Sequence, residues 1–221
     1  FTRYISGHLG YGFSQNKYEI DDDADLTYVD EYLFEDYTKS SVTVSAKYDD
    51  TDDFYLPRKG IILSQSIENA GVGGEAKFIK SRTTFAAYKG LEEWAGFDLI
   101  ARYKVKINYV HDTGSLPIAE KFYLGGVNGV RAYPTSEGSG SEGYLFAAEL
   151  RKYLPNNFTV STFIDHGSVK QFETNRDITG KAISDNNNYS LKGYGVSVTW
   201  QGPHNTNVKA TYAHRMGSNP N

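Results

Sequence analysis

Phe97-Asp98-Leu99-Ile100-Ala101-Arg102-Tyr103-Lys104-Val105-Lys106-Ile107-Asn108-Tyr109 decides the fold. Phe97, Leu99, Ala101, Tyr103, Val105, Ile107 and Tyr109 share one face of an extended chain. Asp98, Arg102, Lys104, Lys106 and Asn108 share the other, with Ile100 the exception. Successive strand side chains point to opposite sides, so this is a two-residue period sustained for thirteen residues. That is about twice the usual strand length in a globular domain. A helix would scatter the same residues around its circumference. One side is apolar and the other carries charge, so the strand separates two very different surroundings.

The pattern recurs along the chain, in Val42, Val44, Ala46 and Tyr48, in Tyr144, Phe146, Ala148 and Leu150, in Tyr194, Val196, Val198 and Trp200, and in Val208, Ala210 and Tyr212. About ten strands are expected, near residues 3–13, 37–49, 60–69, 76–90, 96–110, 142–153, 157–166, 189–201 and 206–216, with a weaker candidate near 26–34. Short turns such as Leu154-Pro155-Asn156-Asn157 and Gln201-Gly202-Pro203-His204-Asn205 alternate with long polar segments at 112–141 and 167–188. Short turns at one rim and long loops at the other characterise transmembrane β-barrels of the outer-membrane type. A soluble β-sandwich or a lipocalin-like barrel is the competing architecture. Strand length and the charged face of residues 98–108 favour the membrane barrel with a wet lumen.

Composition is compatible with this. The 221 residues carry 23 basic and 27 acidic side chains, a formal charge of −4 that gives no sign of a nucleic-acid partner. Cysteine is absent, which excludes disulfides and thiolate metal sites. Tyrosine (18) and phenylalanine (12) far outnumber tryptophan (2), and there is one methionine. No run of eighteen apolar residues could form a transmembrane helix. Phe1 already lies in strand-like sequence without an initiator Met or a signal-peptide pattern, and Gly217-Ser218-Asn219-Pro220-Asn221 reads as a turn awaiting another strand. A portion of a longer chain is therefore expected.

The loop Gly125-Gly126-Val127-Asn128-Gly129-Val130-Arg131-Ala132-Tyr133-Pro134 places an arginine between apolar and aromatic neighbours. Taken alone, Arg131 reads as a solvated surface residue. A buried arginine would need a planar carboxylate partner. Phe163-Ile164-Asp165-His166-Gly167 offers one on a strand, with Phe163 and Asp165 on one face and Ile164 and His166 on the other. Glu149 alternates with Tyr144, Phe146 and Ala148 and is expected to face the lumen near Arg131 or Arg151. A simple wall charge is an equal reading for it.

These motifs resemble the BamA/TpsB superfamily, whose members insert or move polypeptides at the bacterial outer membrane. Val130-Arg131-Ala132-Tyr133 is similar to the Val-Arg-Gly-Tyr/Phe tip of that superfamily's lumen loop. Phe163, Asp165 and Gly167 match its Phe-x-Asp-x-Gly inner-wall motif. The resemblance implies that Arg131 pairs with Asp165 and locks the loop inside an all-β, transmembrane antiparallel barrel. It further implies that residues 1–221 form the C-terminal portion of a larger, 16-stranded barrel, with an N-terminal POTRA region, the first strands and the last strand lying outside them. Expected partners are unfolded outer-membrane or secreted polypeptide clients, the lipid bilayer and accessory assembly lipoproteins, with no cofactor and no nucleic acid. Ala132 departs from the pattern, since glycine is common there and tolerates positive φ. The halves also differ. Arg131-Ala132-Tyr133-Pro134, Glu149-Leu150-Arg151 and Gly217-Ser218-Asn219-Pro220 resemble the TpsB exporters of two-partner secretion. Asp49-Asp50-Thr51-Asp52-Asp53, Leu56-Pro57-Arg58-Lys59-Gly60 and Ala70-Gly71-Val72-Gly73-Gly74 resemble BamA. A divergent BamA, a TpsB protein and a recombined chain all stay open, beside a passive porin-like or adhesin-like barrel.

Other motifs carry less. Gly138-Ser139-Gly140-Ser141-Glu142-Gly143 formally fits G-x-G-x-x-G, but a strand follows it where a dinucleotide site needs a helix. Asp165 and His166 are adjacent on a strand and point apart, so they form no catalytic dyad. His8, His111, His166, His204 and His214 lack metal-ligand spacing, and no G-x-S-x-G elbow occurs. No catalytic or metal site is expected. Asp21-Asp22-Asp23-Ala24-Asp25 could attract Ca²⁺, but it lacks the glycine and bidentate Glu of an EF-hand loop and reads better as a solvated loop.

Overall fold

The computed structural model describes residues 3–19, 36–111, 116–135, 137–170, 188–203 and 206–217. The weak strand candidate near 26–34 and the acidic run 21–25 fall outside them. Among the described residues, nine long strands form one antiparallel meander: β1 (Ile5–Asn16), β2 (Tyr37–Asp49), β3 (Gly60–Ala70), β4 (Phe78–Gly90), β5 (Ile100–His111), then β8 (Glu142–Leu154), β9 (Phe158–Lys170), β10 (Asn188–Gln201) and β11 (Asn207–Arg215). Between β5 and β8 the chain makes a small separate ribbon of β6 (Phe122–Tyr123) and β7 (Ser139–Gly140). Each long strand pairs with its sequence neighbour across the ribbon's excursion. β1 and β11 are the two edges, so the sheet is open.

Register fixes which side chains share a face. Outward rows run Ala101, Leu150, Thr162, Val196, Tyr212 and Tyr103, Ala148, Ile164, Tyr194, His214 across five strands. Leu9 on β1, Ile67 on β3, Ile107 on β5 and Ile164 on β9 each leave about half or more of their surface uncovered. An aqueous protein could not carry so continuous an apolar exterior. Facing lipid, the same exterior is favourable, and the alternation apolar-out, polar-in is that of a transmembrane barrel wall. The inward rows hold Glu68, Lys80, Asn108, Glu149, Ser161 and Asp165, all buried. Such an interior is held by hydrogen bonds and ion pairs, and the soluble-sandwich alternative fails on it.

The rims differ as the turn pattern implies. The strand ends at 49/60, 90/100, 154/158 and 201/207 lie at one rim, and those at 16/37, 70/78, 111/142 and 170/188 at the other. At the tightest turn, Asn156 and Asn157 both take positive φ (60° and 61°), which asparagine tolerates well among L-residues.

Candidate functional site

Segment 116–141 turns back into the concave side of the sheet, and its glycines explain how. After β6, Leu124 N donates to Gly138 O (2.8 Å) and Val130 N returns to Leu124 O (2.7 Å), which folds the tip into a tight knot. A Cβ at Gly125 would stand 1.9 Å from the Pro134 carbonyl oxygen, and one at Gly129 1.9 Å from that of Leu124. No side chain fits either place. The knot buries Leu124, Val130 and Tyr133 against Leu145 of β8, Val169 of β9 and Leu191 of β10. Gly167 leaves room for Leu124, because a Cβ there would meet its Cδ2 at 2.7 Å. Ala132 sits against Gly193 of β10 and has no positive φ, so it fills the position without strain.

This packing delivers Arg131 to the inner wall. Its Nε donates to Asp165 Oδ2 (2.8 Å) and its Nη2 to Asp165 Oδ1 (2.6 Å), while the backbone N of Arg131 adds a third bond to Oδ2 (3.1 Å). Nη1 donates to Glu149 Oε1 (2.6 Å). The guanidinium carbon lies 3.4 Å from the centroid of Phe163. Planar charge, forked donors and a ring face are thus used together, as only arginine can do. Burial alone would lower the Arg131 pKa, but Asp165 and then Glu149 reverse this and hold it above its ordinary value. Glu149 also receives Arg102 Nη1 (3.2 Å) and Arg151 Nη2 (2.6 Å), so one buried carboxylate joins β5, β8 and the loop. The structure brings together Arg131, Phe163, Asp165 and Glu149. Arg215 of β11 lies over Tyr133, 4.7 Å from its centroid, and covers the knot.

A second attachment had no signature in the sequence. Glu120, in a single 3₁₀ turn Ile118–Glu120, reaches the opposite side of the concavity. It accepts from Lys39 Nζ of β2 (2.6 Å) and from Lys80 Nζ of β4. Lys39 also bonds Glu68 of β3 (3.1 Å), whose carboxylate takes the Ser41 hydroxyl (3.1 Å). Burial by itself would raise the Glu120 carboxyl, but the two ammonium groups outweigh it and hold it below its ordinary value. Lys39, Glu68 and Lys80 come from three different strands. Only their register makes them neighbours, so no local pattern could have revealed them.

The remaining motifs take structural places. In the acidic turn after β2, Asp52 Oδ1 accepts from Arg58 N (2.9 Å) and Lys59 N (3.0 Å), and Asp53 Oδ1 from Tyr55 N and Leu56 N (both 2.7 Å). These carboxylates cap backbone donors of a turn. Arg58 then bonds Asp98, and the Tyr153 hydroxyl of β8 donates to Pro57 O (2.9 Å), tying this turn towards the far wall. The glycines of 138–143 serve close packing: a Cβ at Gly140 would stand 2.2 Å from Lys170 O, and β8 follows directly. His166 points outward and meets Tyr144 edge-on (5.6 Å), away from Asp165. Among the described residues, no three His, Asp or Glu side chains converge as a metal ion would require.

Comparison with known proteins agrees with this geometry. A family model described as the Omp85 superfamily domain matches residues 1–221. The chain is similar to the outer membrane protein assembly factor BamA of Nitratidesulfovibrio vulgaris, 33% identical over 130 residues that cover 57% of this chain and 16% of that protein. It is also similar to the heme/hemopexin transporter protein HuxB of Haemophilus influenzae, 28% identical over 110 residues, 48% of this chain and 19% of the other. The chain therefore spans a small part of the relatives it matches. The crystal structure of BamA from Haemophilus ducreyi lacking POTRA domains 1–3 superposes with a TM-score of 0.74 at 16% identity, covering 98% of this chain and 49% of that one.

Proposed function

Because the chain belongs to the Omp85 superfamily, a family of outer-membrane β-barrels, we propose that it walls a barrel that helps polypeptides into or across the bacterial outer membrane. The observation that carries this reading is the interior. A long loop is locked by Arg131 onto Asp165 and Glu149, within a charged wall whose outer face is apolar. No covalent chemistry is needed. An extended client must have its backbone N–H and C=O groups paired before it meets lipid, where each unsatisfied group costs several kcal/mol. A wall of strands can supply those partners by strand addition. The Arg131 clamp holds the loop and braces β8, β9 and β10 while that happens. A nine-stranded open sheet also needs further strands to close in lipid, which supports a larger, 16-stranded whole.

Two outcomes lie within this reading. One is insertion of other barrels, with accessory lipoproteins as partners; the other is export of a dedicated polypeptide. Depletion of the full-length protein in its own cells separates them. Loss of many folded outer-membrane barrels marks assembly, and loss of a single released polypeptide marks export. Unchanged barrel content and secretion, with only an ion conductance lost, would overturn the proposal in favour of a passive barrel.

A further inference from the structure

The lumen wall carries more positive charge than it neutralises. Each strand carboxylate that points inward has a cation at hand: Asp49 has Lys47 (2.7 Å), Glu68 has Lys39 (3.1 Å), and Glu149 and Asp165 share Arg131 (2.6 Å to each). The converse does not hold. Lys104 and Lys106 of β5 and Lys209 of β11 point inward, and no described carboxylate lies within ion-pair distance of them. Lys106 donates to the Asn128 carbonyl (2.9 Å) at the loop tip. Lys104 is flanked across the strands by the small side chains of Ala86 and Ala147. Lys209 and Arg151 border a chamber of about 230 Å³ that also takes in the hydroxyls of Thr159, Ser161 and Thr199 and the Glu149 carboxylate, which Arg102, Arg131 and Arg151 already hold. The chain as a whole is acidic, at −4, so this inner surplus runs against its average charge.

We infer that this inner wall, from Lys104 and Lys106 to Lys209, receives the acidic side chains of an extended polypeptide. The inference rests on the polypeptide-handling function proposed above and names the chemistry of the client segment. Alternate residues of an extended chain recur every ~6.6 Å on one side, the same repeat as the alternate inward residues Lys104 and Lys106. An acidic segment can therefore meet successive lysines with successive carboxylates. Hydroxyls and amides of the chamber satisfy its remaining polar groups. In this partly water-excluded concavity the attraction is weakened less by salt than at an open surface.

The test uses the full-length protein in detergent micelles and two fluorescent peptides, one alternating Glu with Thr and one alternating Lys with Thr, read by anisotropy. The Glu peptide is expected to bind more tightly than the Lys peptide, with affinity falling as salt rises. Lys104→Gln, Lys106→Gln and Lys209→Gln combined should weaken the Glu peptide about tenfold, roughly 1.4 kcal/mol for the three together. Equal affinity for both peptides in the unaltered protein would overturn the inference, and that arm does not depend on the variant folding. An unchanged affinity in a folded variant would also overturn it. Lysine-dependent binding of phosphate-bearing lipid A without binding of the Glu peptide would assign the wall to lipid and equally defeat it. The readout is binding, so its failure in a protein that still supports barrel assembly or secretion leaves the broader function standing.

Discussion

Arg131 and Asp165, thirty-four positions apart in the chain, are joined by three hydrogen bonds that end on both carboxylate oxygens. One of the three comes from the arginine's own backbone, so the pairing holds the path of the loop as well as its side chain. Asp165 is fully buried, and these donors satisfy both of its carboxylate oxygens. Arg131→Ala should destabilise the folded barrel by about 3–5 kcal/mol, since it strands a buried charge. Arg131→Lys should recover only part, because an ammonium lacks the fork and the flat face that Phe163 meets. Denaturant unfolding of the full-length protein in micelles checks both, and equal stability of the Lys variant and the wild type would defeat the clamp.

Glu120 should act as a second, separate latch. Glu120→Gln leaves the Arg131 pairing intact but deprives buried Lys80 of its counter-charge. Faster proteolysis within residues 116–121, at unchanged cleavage near 128–134, is the expected pattern. Uniform cleavage along the loop would mean the two attachments release together.

The latch should also respond to acid. The Glu120 carboxyl sits below its ordinary value of 4.5 in the folded protein. A depressed carboxyl contributes stability that is fully present above the unfolded value and disappears as pH falls through the folded one. Opening of segment 116–121, followed by proteolysis, should therefore rise below about pH 4.5, and Glu120→Gln should flatten that dependence. A wild-type profile identical to that of the variant would contradict the assignment.

The two faces of the sheet should answer oppositely to charge. Ile164 lies mid-strand on the outer face of β9 and is half exposed, whereas Ser66 lies mid-strand on the inner face of β3. Ile164→Arg should cost about 2–4 kcal/mol of folding stability in lipid, while Ser66→Arg should be nearly neutral. Folding yields into vesicles measure the contrast, and similar losses would reverse the assignment of faces.

Gly129→Ala should open the loop knot. The added methyl would lie 1.9 Å from Leu124 O, against backbone that cannot yield without breaking the Val130–Leu124 bond. The barrel should still fold, with the tip becoming accessible to protease.

Much of this architecture is legible along the chain. All nine long strands lie where alternation places them, because a two-residue period is a local property that each strand carries by itself. Arg131 alone reads as a solvated surface residue; the resemblance of its loop and of the Phe163–Gly167 strand to a family's two motifs is what paired it with Asp165. Glu149 was visible as an inward position. Of its three arginines, Arg131 and Arg151 were candidates from the chain itself, and Arg102 was not, since it reaches Glu149 from β5 through backbone register. The acidic turn after β2 looked like a family mark, and its carboxylates turn out to cap backbone donors of the turn itself.

Taken by itself, the sequence determined strand positions, the apolar and charged faces, and the two motifs that meet. Those depend on side chains a few residues apart, whose spacing is set by covalent geometry. The tertiary structure alone decided that Lys39, Glu68 and Lys80 converge on Glu120, that Lys104 stands between two alanines, and that the loop is held on both sides of the concavity. Those neighbours come from separate strands, brought together by backbone register and by the need of buried charges for partners. Neither requirement leaves a trace in any short stretch of chain.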